Sequence, residues 1–138
     1  MDTLTSVVEP LVQFLRTHAP EIYQKSDEDL REELSWYAAH NRILVLRDVN
    51  KDIAGVFTGY PIKSLQDIAL GVWPVEDPDG KYFYGTLGAL RPDYAARGLR
   101  IMLWVLQYIH KEFPKAEYLY CERYPTNESQ LIPIRRAR

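Results

Sequence analysis

Leu4, Val7, Val8, Leu11, Val12 and Leu15 recur at the i, i+3, i+4 spacing of a helix with one apolar face. That helix is predicted to end near His18, before Pro20, with Pro10 either starting its regular part or kinking it. Ser26-Asp27-Glu28-Asp29 supplies a hydroxyl cap and first-turn acids, so a second helix is predicted from Asp27 to about Ala39, burying Leu30, Leu34 and Tyr37. The pattern then changes to β. Arg42–Arg47 is apolar on both faces, Asp48–Asp52 is a polar turn and Ile53–Tyr60 a second run, which together predict a hairpin. Pro61–Gly80 reads as a long excursion with a helical turn near Ser64–Ala69. Lys81–Leu90 is a third strand with Gly85 and Gly88 inside it, and strand glycines mark a bulge or a close approach to the backbone. After the polar connection Arg91–Gly98, the apolar positions Leu99, Met102, Leu103, Leu106, Ile109, His110 and Phe113, widened by Trp104 and Val105, predict the most buried helix of the chain, stopped by Pro114. Glu117–Tyr124 is a fourth strand, Pro125–Glu128 a turn and Gln130–Arg136 a last strand that Pro133 confines to an edge or a bulge. The order α, α, β, β, β, α, β, β predicts an α+β or mixed α/β fold.

Length and composition narrow the class. The 138 residues suit one domain, 1–138, with a core that needs no staples. Cys121 is the only cysteine, which excludes an intramolecular disulfide and a Cys-rich zinc site, so no metal is expected. Asp2 stands where a signal peptide needs basic residues, and the longest apolar run is Ile101–Leu106, so secretion and membrane spanning are disfavoured and a cytoplasmic location is expected. Charge is uneven. Met1–Ala69 carries 7 basic and 11 acidic residues, whereas Leu70–Arg138 carries 10 and 8, which places anion affinity in the second half. With a net charge of -2, nucleic acid is a disfavoured partner, and the Arg135-Arg136-Ala137-Arg138 cluster reads as a solvated end.

The stretch with chemical content is strand, loop and helix from Lys81 to Phe113. The first N–H groups of a helix have no internal acceptor, and the helix dipole attracts an anion there. Arg91, Arg97 and Arg100 gather at such an end, where cations are misplaced unless an anion lies among them. Either they hold one, or they extend into solvent or pair with acids such as Asp93. Leu90-Arg91-Pro92-Asp93-Tyr94-Ala95-Ala96-Arg97-Gly98-Leu99-Arg100-Ile101-Met102-Leu103 resembles the central motif of the GNAT N-acetyltransferases, a strand end followed by R/Q-x-x-G-x-G/A opening a helix. The element order resembles that family from about residue 1 to 124. Of the three defining positions only Gly98 is retained; Ala95 and Arg100 replace the other two.

The resemblance implies a GNAT-like, largely antiparallel sheet with helices on both faces, and acetyl-CoA as co-substrate. It implies that Ala89 and Leu90 hold the pantetheine arm, and that Ala95, Ala96, Arg97, Gly98, Leu99 and Arg100 hold the pyrophosphate. The acceptor would be a small-molecule or peptide amine. Transfer to an amine needs a base and a donor near the sulfur, and Glu122 and Tyr124, late in the fourth strand, are the candidates by topology; an exposed edge-face carboxylate is the competing account of Glu122. The family's asparagine and thiolate-protonating helix after this strand have only Asn127 as a counterpart. The alternative is a non-catalytic GNAT-like interaction module that has lost the cofactor. Glu76, Asp77 and Asp79 read as a solvated turn or as a contact for a basic substrate. His18 and His40 read as partners of helix C-termini, His110 as a boundary histidine, Cys121 as a small hydrophobe, and Trp36, Trp73 and Trp104 as packing anchors. The last strand leaves an open edge, which admits a homodimer.

Overall fold

The computed structural model describes residues 3–19, 25–123 and 128–134. Helix α1 spans Thr3–His18 with Pro10 inside it, and α2 spans Asp27–Ala39 behind a Ser26 cap. Strands β1 (Ile43–Arg47) and β2 (Ile53–Ile62) follow, then the short α3 (Gln66–Ala69), β3 (Tyr82–Leu90), the single turn α4 (Pro92–Ala95), α5 (Gly98–Glu112), β4 (Tyr118–Arg123) and β5 (Glu128–Pro133). The strands form one sheet in the order β1-β2-β3-β4-β5, with β1–β2 and β4–β5 antiparallel and β3–β4 parallel. The mixed α+β fold expected from the sequence is present, and β5, with Pro133, is an edge strand.

Two compact units divide the described residues: those up to Thr58 together with Leu87–Ala96, and Gly59–Thr86 together with those from Arg97 onward. In the first, α1 packs on α2, and Leu11, Leu15, Leu30 and Leu34 are fully buried. Truncating any one of them to Ala costs about 2–5 kcal/mol. The Leu46/Arg47 step of the hairpin is bulged, and the Ala54 carbonyl accepts the Arg91 N–H at 2.8 Å. In the second, Phe83, Ile109 and Leu119 are fully buried and Phe83 packs on Phe113 with ring centroids 5.0 Å apart. Tyr82 and Tyr84 of β3 lie opposite Tyr118 and Tyr120 of β4.

Three expectations change. The connection after β3 contains α4, because Pro92 enters at the first helical positions with its φ already helical and Asp93 adds an acid to that turn. Among the residues whose burial is described, α1 is the most buried helix, with Val8, Leu11, Val12, Phe14 and Leu15 inside; α5 buries Ile101, Val105 and Ile109, an i, i+4, i+8 line, and leaves Leu103 and Trp104 about half exposed. Finally, none of the three tryptophans anchors a core. Trp36 stacks on His40 at 4.3 Å, Trp73 leans on Tyr84 at 6.0 Å and Trp104 stands on the outer face of α5, all with more than a third of their surface in solvent. The rings of Trp36 and Trp73 cover neighbours at the rim rather than filling an interior.

Candidate functional site

The end of β3 belongs to the first unit. Ala89 and Leu90 are half-buried there, and Gly88 is exposed. A Cβ on Gly88 would find the Val56 carbonyl oxygen at 4.0 Å as its nearest neighbour, so the packing of the protein does not demand glycine at this position. By contrast, a Cβ on Gly55 would meet Leu90 Cδ2 at 2.7 Å. Beneath this strand end Thr58, fully buried, accepts the Leu87 N–H on its hydroxyl at 3.1 Å. A side chain therefore does the work of a ladder carbonyl where β3 approaches its end.

Arg91 follows immediately. Its Nε and Nη2 donate to the two oxygens of Asp93 at 2.7 and 2.9 Å, its Nη1 donates to Asp48 Oδ2 at 2.9 Å, and its guanidinium lies 5.3 Å from the Tyr94 ring centre. Asp48 in turn accepts the N–H groups of Asn50 and Asp52 on Oδ1, so one carboxylate ties the β1–β2 turn to the exit of β3. The Arg91 guanidinium holds both carboxyls below their usual range, with backbone donors adding to the effect, and the two carboxylates raise the affinity of Arg91 for its proton. Between two carboxylates Arg91 is already neutralised. Arg91 pairs with protein acids, as one of the two sequence readings held.

Ala95 ends α4 and Ala96 follows it, both exposed. In the second unit, α5 opens with Arg97 as its cap residue, without a side-chain hydrogen bond to the cap and without an acid in the first turn. The Arg100 N–H turns back to the Arg97 carbonyl at 2.9 Å and that of Ile101 reaches the same oxygen at 3.2 Å. Gly98 and Leu99 sit at the positions whose N–H groups have no acceptor inside a helix. Arg97 and Arg100 are exposed, and Arg100 has no carboxylate partner among the described residues. Glu122 lies on β4 opposite Ser129 of β5. Tyr124 and Asn127 lie outside the described residues. Among those described, no three His, Cys, Asp or Glu side chains gather as a metal site, and no helix is long and apolar enough to cross a membrane.

No family model and no curated protein matches the sequence. Solved structures do match. The GphF GNAT-like decarboxylase in complex with isobutyryl-CoA superposes with a TM-score of 0.62 at 16% identity over 84% of this chain and 60% of that one. The loading GNATL domain of CurA from Lyngbya majuscula gives 0.62 and 16% over 88% and 64%. The fold is the GNAT fold. The GNAT family N-acetyltransferase YhbS from Escherichia coli in complex with CoA agrees, with 0.58 and 12% over 93% and 76%. This chain thus spans about 60 to 64% of the length of the first two. Within the GNAT fold, the β3 end and the α5 start found here are the elements that the sequence motif singled out. Sequence reasoning offered Asp93 as a partner of Arg91 but missed Asp48, because the 43-residue separation of Arg91 from Asp48 leaves no local signal. It also missed the buried role of Thr58.

Proposed function

We propose that the chain binds an acyl-CoA through Ala89, Leu90 and Ala95–Arg100 and transfers its acyl group, acetyl in the first instance, to an amine. The observation that carries this reading is the start of α5: a helix that follows β3 through the single turn α4, without a side-chain cap or first-turn acid, and flanked by the exposed cations Arg97 and Arg100. Backbone donors, dipole and cations there have the same sign of preference, which a diphosphate satisfies. The bound CoA and isobutyryl-CoA of two structural neighbours support the ligand class.

In this reading the open side of Gly88 admits the pantetheine arm against the strand end, and backbone groups at Ala89 and Leu90 orient the thioester carbonyl. The amine attacks that carbonyl, the C–N bond forms as the C–S bond breaks, and CoA leaves as the thiolate. Glu122 first takes a proton from the acceptor's ammonium to free the attacking lone pair, the nitrogen gives up its second proton to solvent as the amide forms, and Tyr124 returns one to the sulfur. Calorimetry with acetyl-CoA tests the cofactor, with a micromolar to submillimolar Kd expected; no binding at millimolar ligand overturns the reading. Glu122→Gln is expected to lower kcat at unchanged acetyl-CoA affinity.

A second reading, a GNAT-fold module without turnover, has one observation in its favour. Only four residues, 124–127, separate β4 from its antiparallel neighbour β5, too few for a helix of several turns like the one that supplies the thiolate's acid in the family resembled. Binding of acetyl-CoA without acetylation of any amine in a broad panel would select it.

A further inference from the structure

In the first unit, the last turns of α1 and the β1–β2 turn line an open cavity of about 390 Å3 that the acyl-CoA reading does not use. Phe14, largely buried, and Ile53, half-buried, form its apolar wall, while His18, Arg47, Lys51 and Asp52 line it with polar groups. The His18 ring packs on Phe14 with centroids 4.5 Å apart, which extends the aromatic wall.

Among the described residues, Arg47 and Lys51 have no carboxylate partner. Arg47 Nη1 donates to the Lys51 carbonyl at 2.9 Å, and its remaining donors, like the whole Lys51 ammonium, have no partner among the described residues. Asp52 shares the cavity without forming an ion pair with either. Lys51 is also costly where it stands. Its φ of 69° lies in the left-handed region, which favours glycine or asparagine and costs other residues about 1 kcal/mol or more. The turn closes through Asp48 N–H to Asp52 O at 2.9 Å, Lys51 N–H to Asp48 O at 3.0 Å and the two amides on Asp48 Oδ1, none of which involves the lysine side chain.

We propose that this cavity binds a small carboxylate with an apolar body, an aromatic or branched aliphatic acid, its carboxylate between Arg47 and Lys51 and its body on Phe14 and Ile53. A guanidinium fork matches a carboxylate in two parallel hydrogen bonds. The Asp52 charge opposes a dianion such as phosphate, and the apolar wall has nothing to offer one. The volume is at the small end of ligand cavities, which limits the occupant to a compact acid.

Benzoate is the probe, titrated at constant ionic strength into the full chain labelled with 15N, with benzamide and inorganic phosphate in parallel. The expected result is saturable shifts at Arg47–Ile53 and in the last turns of α1, with a millimolar Kd for benzoate and at least tenfold weaker binding of the other two. Arg47→Gln is expected to weaken benzoate at least fivefold. Lys51→Gly is expected to weaken it severalfold while the melting temperature holds or rises, since glycine relieves the backbone. Absence of saturable shifts, equal binding of benzamide or phosphate, or unchanged benzoate affinity in both variants overturns the proposal. Acetyl-CoA binding is measured separately, so failure here leaves the cofactor reading standing.

Discussion

At the start of α2 the Ser26 hydroxyl accepts the Asp29 N–H at 3.1 Å, and Asp27, Glu28 and Asp29 set three negative charges against the positive end of the dipole. At the start of α5 the cap residue is Arg97, without a side-chain hydrogen bond to the cap, and the nearby charges are those of Arg97 and Arg100. The first helix is complete by itself; the second has donors and cations of one sign at its start, with neither a side-chain cap nor a first-turn acid. A folding argument explains α2 fully. It does not explain α5, where Arg97 forgoes about 0.5–2 kcal/mol that Ser or Asp would supply as cap. That deficit is what an external anion would offset, and it is the ground for proposing a ligand at the start of α5 and none at α2.

The same contrast exists between glycines, and there the expected effects are largest. In Gly59→Ala the new Cβ would lie 2.4 Å from the Tyr84 carbonyl oxygen and 2.5 Å from the Phe83 ring. Neither neighbour can withdraw without disturbing β3, so a loss of about 3 kcal/mol or more is expected in denaturant unfolding. Gly88→Ala meets nothing closer than 4.0 Å and is expected to leave stability within about 1 kcal/mol, on the favourable side if anything. If a pantetheine arm lies against that strand, however, the same methyl raises the acetyl-CoA Kd at least tenfold. Unchanged affinity in Gly88→Ala would remove this strand end from the site.

Next in size is the exchange of helix starts. Arg97→Asp gives α5 a cap and a first-turn charge like those of α2, so the melting temperature should rise, by about 0.5–2 kcal/mol of stability, while the acetyl-CoA Kd rises tenfold or more. Ser26→Ala is the mirror. It should cost about 1 kcal/mol and leave the cofactor affinity where it was. A variant Arg97→Asp that binds acetyl-CoA as well as the parent would return α5 to the class of ordinary helices.

The helices and strands were legible because each carries a local period or stop: Ser26 with its three acids marked α2 to the residue, and Pro114 ended α5. The span of β2 past Pro61 was not. Proline has no N–H to lose, and Pro61 instead offers its carbonyl to Asp77 N–H at 2.9 Å, a contact across the whole α3 excursion. The tryptophans misled for a related reason: size suggests burial, but a ring at the rim can cover His40 or Tyr84 and still face solvent. At the site, the local part, Gly98 and the arginines of the α5 start, was readable as a motif. Arg91 was ambiguous until Asp48 came into view, since only tertiary structure brings that carboxylate to it.

The smallest effect concerns that arginine and shows itself only in acid. Asp48 and Asp93 have carboxyls held below the ordinary value near 3.9 by Arg91, so each contributes stability that is present above about pH 4 and is lost as the pH falls through the lowered folded value. Arg91 has a raised affinity for its proton and stays charged throughout, so it adds no slope of its own near neutrality. In Arg91→Met the two carboxyls return toward ordinary values. The fall in stability below pH 4 should therefore be shallower than in the parent, while the Tm at pH 7 drops because the tie between the β1–β2 turn and the β3 exit is gone. Thermal unfolding from pH 2.5 to 7 measures both. Since Arg91 is already matched by two carboxylates, its loss should change acetyl-CoA affinity far less than Arg97→Asp does; a reversed ranking would mean that the ligand's phosphates lie at the exit of β3 rather than at the start of α5.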